Sequence, residues 1–377
     1  MNYCGIDIGG VSSYVYVTDA RGRKRWSGAV PTRRESLRSC LRRFVRGGLA
    51  VAIEAGNQTA WIYELLVELG AEVTVVHPAK VKLIAESRQK TDKVDARILC
   101  ELLRLDGLPQ PVHMPSREAR ALRGLLAARR QLISARTKLC NVVRGMLRQE
   151  GVRLPPRALL TKVGWERLLV NSFAHPHLTA ILRAYWQSFE ALSRSIRELE
   201  RKLAQRERED PRAARLQTIP KVGPIAALTF LAAVDDVHRF GSSRKLVGYS
   251  GLAPTVRQSG ERTQYGSISR QGRSELRAVW VQIAHLVAAD RHPATRPLRR
   301  WFNRVARRRG KKTATVALAR RLLVIAYHVL RDETEYDPAK VKRRGVHSAL
   351  CRIWKKVYEG GEEFGAMGGR GLENCTR

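Results

Sequence analysis

Apolar residues in the first hundred positions recur at two periods. YCGIDIG and SYVYVTDA alternate as short strands do, and RKRWSGAVP follows as a third. The apolar positions of ESLRSCLRRFV then repeat with helical spacing. LAVAIEA has the pattern of a buried strand, TAWIYELLVELG that of an amphipathic helix, and AEVTVVHP that of a strand ending at Pro78. From Asp92 to Leu105 another helix is predicted, with Val94, Ile98, Leu102 and Leu105 on one face. Three strands followed by helix–strand–helix–strand–helix predict a layered α/β domain over residues 1–110.

The period changes after that. An Arg-rich helix is predicted from Ser116 to about Gln149, interrupted by Pro155 and Pro156, and a second from about Leu178 to Arg208. Two long, charged helices able to run antiparallel suggest a coiled-coil spacer over 111–210, which could also dimerise. A plain solvent-exposed helical hairpin fits the same pattern. A mostly α domain over 211–335 opens near Leu216 with LQTIPKVGPIAALTFLAAV, continues through a Gly- and Ser-rich segment, and returns to helices up to about Leu330. The tail, 336–377, is basic and then Gly-rich, a composition expected to be disordered at the end.

Charge sharpens this division. Of 377 residues, 70 are Lys or Arg and 34 are Asp or Glu, a net +36. Residues 1–110 hold 17 basic and 12 acidic side chains, which leaves 53 and 22 for the remainder. An excess of this size is usually matched to a polyanion, most often nucleic acid. No apolar run reaches the ~18 residues of a membrane span, and the N-terminal MNYCGIDIGG places an Asp where a signal peptide needs apolar residues. The expected setting is therefore cytoplasmic and nucleoid-associated, with no membrane partner. Six cysteines without a C-x-x-C pair offer neither a zinc ribbon nor a disulfide framework. His175 and His177 lack ligand-spaced partners and are expected in a loop.

The candidate chemistry starts with carboxylates. Asp7 lies between Ile6 and Ile8 in a strand-like run, and Glu54 ends the apolar VAIEAG. Asp92 and Asp95 stand three apart in QKTDKVDARIL, which on a helix puts both on one face. Four acids on two strand ends and one helix face can converge on Mg²⁺, a hard cation that takes oxygen ligands. Two such ions ~4 Å apart clamp the attacking and leaving oxygens of a phosphodiester. Taken singly, Asp7 could be a turn-facing acid and Asp92 a helix N-cap. GIDIGG followed by Ser12 and Ser13 also resembles the phosphate hairpin of actin-like kinases, but the second hairpin and adenosine motif of those proteins do not follow.

In the basic half, TIPKVGPIAALTFLAAV resembles a helix–hairpin–helix, in which Lys221 and Gly223 would bring a phosphate to free helix N–H groups. Ser259 in RQSGER lies between Arg257 and Arg262, which could hold a phosphate bidentately beside a serine nucleophile. Ser267 and Ser269, near Arg270 and Arg273, have similar surroundings, and a loop serine is more often a turn residue than a nucleophile.

These residues together resemble the transposases of the insertion sequence 110 family, bridge-RNA-guided DNA recombinases. GIDIG, AIEAG and KTDKVDAR carry the match at the N-terminus; IPKVGPIAA, GLAP, SG and GSISRQGRSELR carry it further on, over about residues 3 to 330. The resemblance implies a RuvC-like (RNase H) fold whose D-E-D-D metal site is Asp7, Glu54, Asp92 and Asp95. It implies that Ser259 attacks DNA to form a phosphoserine intermediate, in a composite centre where one subunit's metal site faces another's serine. It also implies a structured guide RNA, donor and target DNA, and a homo-oligomer, dimer or tetramer. A junction nuclease with a structural Ser259, or a nucleic-acid binder with an inactive acidic site, are the competing readings. The sequence departs from the family pattern at Gly10, at Ala55-Gly56-Asn57, at Gln89 and at Ser269–Arg270, and the tail after Asp337 lies outside the match.

Overall fold

The structure is a computed structural model that describes residues 1–84, 91–170, 176–259 and 262–339. It divides into two compact units, the first Met1–Pro115 and the second beginning at Ser116.

The first unit is a mixed sheet with helices. The three strands predicted from the sequence, β1 (Asn2–Asp7), β2 (Ser12–Asp19) and β3 (Lys24–Pro31), pair as an antiparallel meander. α1 (Arg34–Val45), β4 (Leu49–Glu54), α2 (Thr59–Glu68) and β5 (Glu72–Val76) follow. β4 pairs parallel with β1, and β5 with β4, so the sheet order is β3-β2-β1-β4-β5. Parallel neighbours must be joined by crossovers, and the helices supply them. β4 is buried along its length except at Glu54, which explains its unbroken apolar run. Two helices complete the unit, α3 (Pro78–Ile84), which the periodicity did not announce, and α4 (Asp92–Arg104).

α4 corrects one expectation. Its buried residues are Ala96, Leu99 and Cys100 rather than the Val94–Leu105 stripe, and Leu105 is 65% exposed. The helix lies against Gly5 of β1, where a Cβ would meet the Ala96 carbonyl oxygen and come within 2.6 Å of the Cys100 amide nitrogen. Close approach selects small side chains, so the buried stripe is rotated toward Ala96 and Cys100.

The second unit opens with α5 (Arg117–Gln149), a 33-residue helix capped by the Ser116 hydroxyl. A 3-10 turn at Ala158–Leu160 and α6 (Lys162–Val170) lead to α7 (Pro176–Glu209). α5 and α7 run antiparallel: Arg129 meets Glu200 at 2.7 Å, Arg136 donates to the Ser193 hydroxyl at 3.3 Å, and Arg136 lies over the Phe189 ring. The far end of this hairpin has its own core, in which Trp165, Trp186 and Phe189 meet and Trp165 Nε1 donates to the Leu159 carbonyl at 2.9 Å. His177 lies in the first turn of α7, exposed, and not in a loop, because the helix begins at Pro176; His175 lies outside the described residues.

α8 (Pro211–Gln217), α9 (Pro224–Val234) and α10 (Ser243–Tyr249) precede a two-stranded hairpin, β6 (Pro254–Ser259) and β7 (Arg262–Ile268). α11 (Ser274–Ala289), α12 (Arg296–Arg309) and α13 (Lys311–Arg331) close the unit. α13 has the length and apolarity of a membrane span. Here Leu318, Leu322, Leu323 and Ala326 are buried in the core, with Phe230 and Trp280 packed edge to face beside them. Beyond residue 339 the tail lies outside the described residues, as does the disorder expected of it.

Candidate nucleic-acid processing site

Asp7 and Glu54 end adjacent parallel strands. The register pairs Ile6 with Ile53, so the next residue on each strand is a carboxylate, both half-buried at the C-terminal edge of the sheet, where these two interior strands end. The turns that follow are held by side chains. Gln58 Nε2 donates to the Gly9 and Gly10 carbonyls at 3.2 and 3.1 Å, and the Thr32 hydroxyl donates to Gly9 at 3.0 Å. After β4, the Thr59 hydroxyl donates to the Glu54 carbonyl at 2.8 Å and accepts from the Gly56 amide at 2.7 Å. None of Gln58, Thr59 or Thr32 was singled out from the sequence. The only signal for Thr59 was its place at the start of a helix just after Glu54.

α4 brings the other two acids toward the same edge. Cys100 Sγ donates to the Tyr3 carbonyl at 3.2 Å, while Ala96 lies against Gly5. Stepping back one turn along α4 therefore advances two residues along β1, each a distance of roughly 6 Å. The next step reaches Asp92 on the helix and Asp7 on the strand. Thr91 caps the helix, accepting from the Val94 amide at 3.3 Å, so Asp92 is the first helical residue and its carboxylate is not the cap. Asp92 is exposed and Asp95 half-buried. Behind them, burial and the neighbouring Cys100 push the Cys4 thiol well above its ordinary range. Among the described residues, the cysteines Cys4, Cys40, Cys100 and Cys140 are all free thiols.

All four side chains are oxygen donors, the set that suits a hard divalent ion rather than zinc. Among the described residues, no three His, Cys, Asp or Glu side chains are gathered tightly enough to enclose an ion. The backbone thus sets Asp7 and Glu54 on adjacent strand ends and Asp92 and Asp95 in the first turn of the helix packed on β1, without a closed ligand shell among the described residues. The competing phosphate-hairpin reading fits poorly. Ser13 is fully buried with its hydroxyl 2.8 Å from Thr32 Oγ1, and Ser12 Oγ donates to the Val30 carbonyl at 3.4 Å.

Ser259 is not in an irregular loop. It is the last residue of β6, exposed, and paired with Arg262 across the hairpin. Val256, Arg257 and Gln258 are exposed too, and Arg257 faces Gln264. Ser267 is exposed on β7, and its carbonyl accepts from the Thr255 hydroxyl at 3.0 Å. The Ser269 amide donates to Ala253 at 2.8 Å and closes the hairpin's root.

That root is built from arginines. Arg277 Nη1 donates to the Ser250 and Arg270 carbonyls at 3.1 and 3.2 Å. Arg273 is half-buried, its Nε donating to the Tyr249 hydroxyl at 3.2 Å. Arg270 is exposed, with φ of 56°. Gly272, at φ 123°, passes so close to the Tyr249 carbonyl oxygen that a Cβ would collide with it.

The Lys221–Gly223 turn does join two helices. Lys221 has φ of 67°, and its Nζ is 3.1 Å from the Asp290 carboxylate, so a phosphate there would compete with an ion pair. Gly223 caps α9 without a side chain, Pro224 has no N–H, and the Ala226 amide donates back to Gly223. The helix end therefore offers fewer open amides than the motif implies.

A sheet edge lined with carboxylates in one unit, joined to a strongly basic helical unit, defines a nucleic-acid processing protein. Comparison with known proteins makes this specific. Residues 4–151 match a family described as "Transposase", and residues 213–300 match one described as "Transposase IS116/IS110/IS902 family". The chain is 30% identical over 315 residues to a "Probable family 20 transposase" of Pseudomonas aeruginosa, covering 82% of this chain and 92% of that protein. It is 27% identical to the "Transposase for insertion sequence element IS1328" of Yersinia enterocolitica, covering 88% and 98%. It is also 29% identical to the "Pilin gene-inverting protein" of Moraxella bovis, covering 71% and 74%. The chain belongs to the IS110 family of transposases, enzymes that cut and rejoin DNA, and its first unit has the RuvC-like fold that this family's acidic domain carries.

Proposed function

We propose that this transposase joins DNA through a serine-linked intermediate, with Asp7, Glu54, Asp92 and Asp95 as its metal-binding acids and Ser259 as nucleophile. The observation that supports the acidic half is the seating of α4 on β1 through Ala96 and Cys100, which directs the Asp92 end of the helix toward the ends of β1 and β4. Mg²⁺ bound there would supply Lewis-acid stabilisation of phosphoryl oxygens. In the joining step, the Ser259 hydroxyl attacks phosphorus. An Oγ–P bond forms, the bond to a deoxyribose oxygen breaks, the hydroxyl proton is lost to a base, and the leaving oxygen gains one. Reversal by a hydroxyl of the partner strand releases serine, so rejoining consumes no nucleotide. The exposed end of a firmly rooted hairpin suits a nucleophile that must reach a backbone, with Arg257 and Arg262 to hold the phosphate.

By the same reading, the active species is a homo-oligomer in which one subunit's acids face another's serine. A structured RNA guides it to donor and target DNA in the nucleoid. Lys221, Gly223, Arg270 and Arg273 are the further contacts, the first and last of them after release from Asp290 and Tyr249.

Cleavage and joining of a labelled donor duplex provide the test. Asp92→Asn is expected to lower both by at least about a hundredfold. Ser259→Ala is expected to abolish joining and the covalent protein–DNA band. If Ser259→Ala still cuts but does not join, the protein is a junction nuclease. If neither variant changes cleavage, the acidic edge is not catalytic. Guidance is read by sequencing RNA that co-purifies with the protein expressed beside its native flanking DNA. One discrete flanking transcript is expected, and random cellular RNA alone would remove guidance from the proposal.

A further inference from the structure

Outside both candidate sites, the densest charge among the described residues is on α12. Seven of its fourteen residues are arginine and none is acidic. Leu298 and Phe302 turn into the core, and Arg321 of α13 lies over the Trp301 ring at 4.9 Å, so the helix is firmly seated. Arg296, Arg300, Arg304 and Arg308 are all exposed and follow one another every four residues, with exposed Arg307 beside them. None of the ion pairs among the described residues includes any of these five. Like charges at this spacing repel along a helix. After Gly310, α13 opens with exposed Lys311 and Lys312 and no acid in its first turn, although that end of a helix favours acids. Local rules are broken here in one direction, and a bound polyanion is what would relieve them.

We propose that this face of α12, with Lys311 and Lys312, grips the sugar-phosphate backbone of double-stranded DNA without regard to sequence. The proposal rests on the reading of the chain as a DNA-joining enzyme and adds a binding surface to it. From Arg296 to Arg308 the row spans about 18 Å, over which a duplex carries on the order of ten phosphates. Single strands are instead held on exposed aromatic platforms. This face has none, since Phe302 is buried and Trp301 is half-buried beneath Arg321.

Fluorescence anisotropy of the full chain on a labelled duplex of arbitrary sequence, across a range of salt, reads the grip. Replacing Arg300, Arg304, Arg307 and Arg308 together by Gln is expected to flatten the slope of log affinity against log salt by about 3.6. Affinity at low salt should fall more than tenfold. The charge-matched control replaces Arg194, Arg197, Arg201 and Arg208, exposed on α7, and is expected to change the slope by less than one. The pair Arg300→Gln with Arg304→Gln, expected to lose about two, decides the matter if the fourfold variant does not fold. An unchanged slope, an equal loss in the control, or a loss confined to duplex RNA would each overturn the proposal. Ser259→Ala and Asp92→Asn are read on joining and cleavage, and the arginine variants on the salt slope. A failed joining mechanism and a failed grip are therefore distinguishable.

Discussion

A single missing Cβ decides where two carboxylates go. Gly5 lets α4 lie against β1, and that contact sets the level at which Asp92 and Asp95 meet the strand carrying Asp7. Gly5→Ala would drive a methyl group into the backbone of α4, which cannot move aside as a flexible side chain could. Overpacking of this kind destabilises by about 1–3 kcal/mol, readable as a lower denaturant midpoint. Cleavage should fall further than stability explains; unchanged cleavage would show that the spacing of α4 is irrelevant to the acids. Asp7 and Glu54 were legible in the sequence because a carboxylate in an apolar strand has few uses, and Asp92 and Asp95 because their spacing puts both on one helix face. Gln58, Thr59 and Thr32, which hold the turns behind them, were not, because ordinary polar residues acquire that role only when the chain brings their acceptors near.

At the scale of elements, the long helices and the first three strands followed directly from the sequence pattern, and the hairpin bearing Ser259 did not. β6 is exposed at nearly every position, so it has no apolar alternation to betray a strand. The α5–α7 pair was readable as two helices able to run antiparallel, but its far end depends on contacts distant in sequence. Trp165 is fully buried there against Trp186 and Phe189. Trp165→Ala should cost about 3–5 kcal/mol. The loss should appear as early hydrogen exchange in 140–170 and 176–190, with the sheet of the first unit still protected; uniform loss of protection would contradict an independent core. Nearer the root, Arg123 of α5 donates to the Ala232 and Ala233 carbonyls at 2.6 and 3.1 Å, closing the end of α9. Burial, and after it the charge of Arg273, push this guanidinium's pKa down.

For the whole molecule, charge works in two senses. The excess of basic side chains prepares the surface for a polyanion, while acids of the second unit such as Asp210, Glu275 and Asp290 are held in internal ion pairs. Burial alone would raise the pKa of Asp210, but hydrogen bonds and charge from Arg212 hold it below the ordinary 3.8. Glu275 is likewise held below 4.5 against the upward push of burial, by its own backbone amide and by Arg130 and Arg273. A depressed carboxylate stabilises the fold fully above its ordinary pKa, and that contribution is lost as pH falls through the lowered value. The melting temperature should therefore hold from neutral pH to about 5 and fall steeply below about 4. The joint variant Asp210→Asn, Glu275→Gln should flatten that fall; an equally steep fall would place the acid sensitivity elsewhere. The strands of the first unit, the long helices and the polyanion-seeking charge are written in the sequence alone, because periodicity and net charge are local or additive properties. The seating of α4 on Gly5, the rooting of the Ser259 hairpin near Tyr249 and Arg277, and the exposed arginine face of α12 follow from tertiary packing. Each depends on which distant backbone atoms lie within contact distance, and no local pattern encodes that.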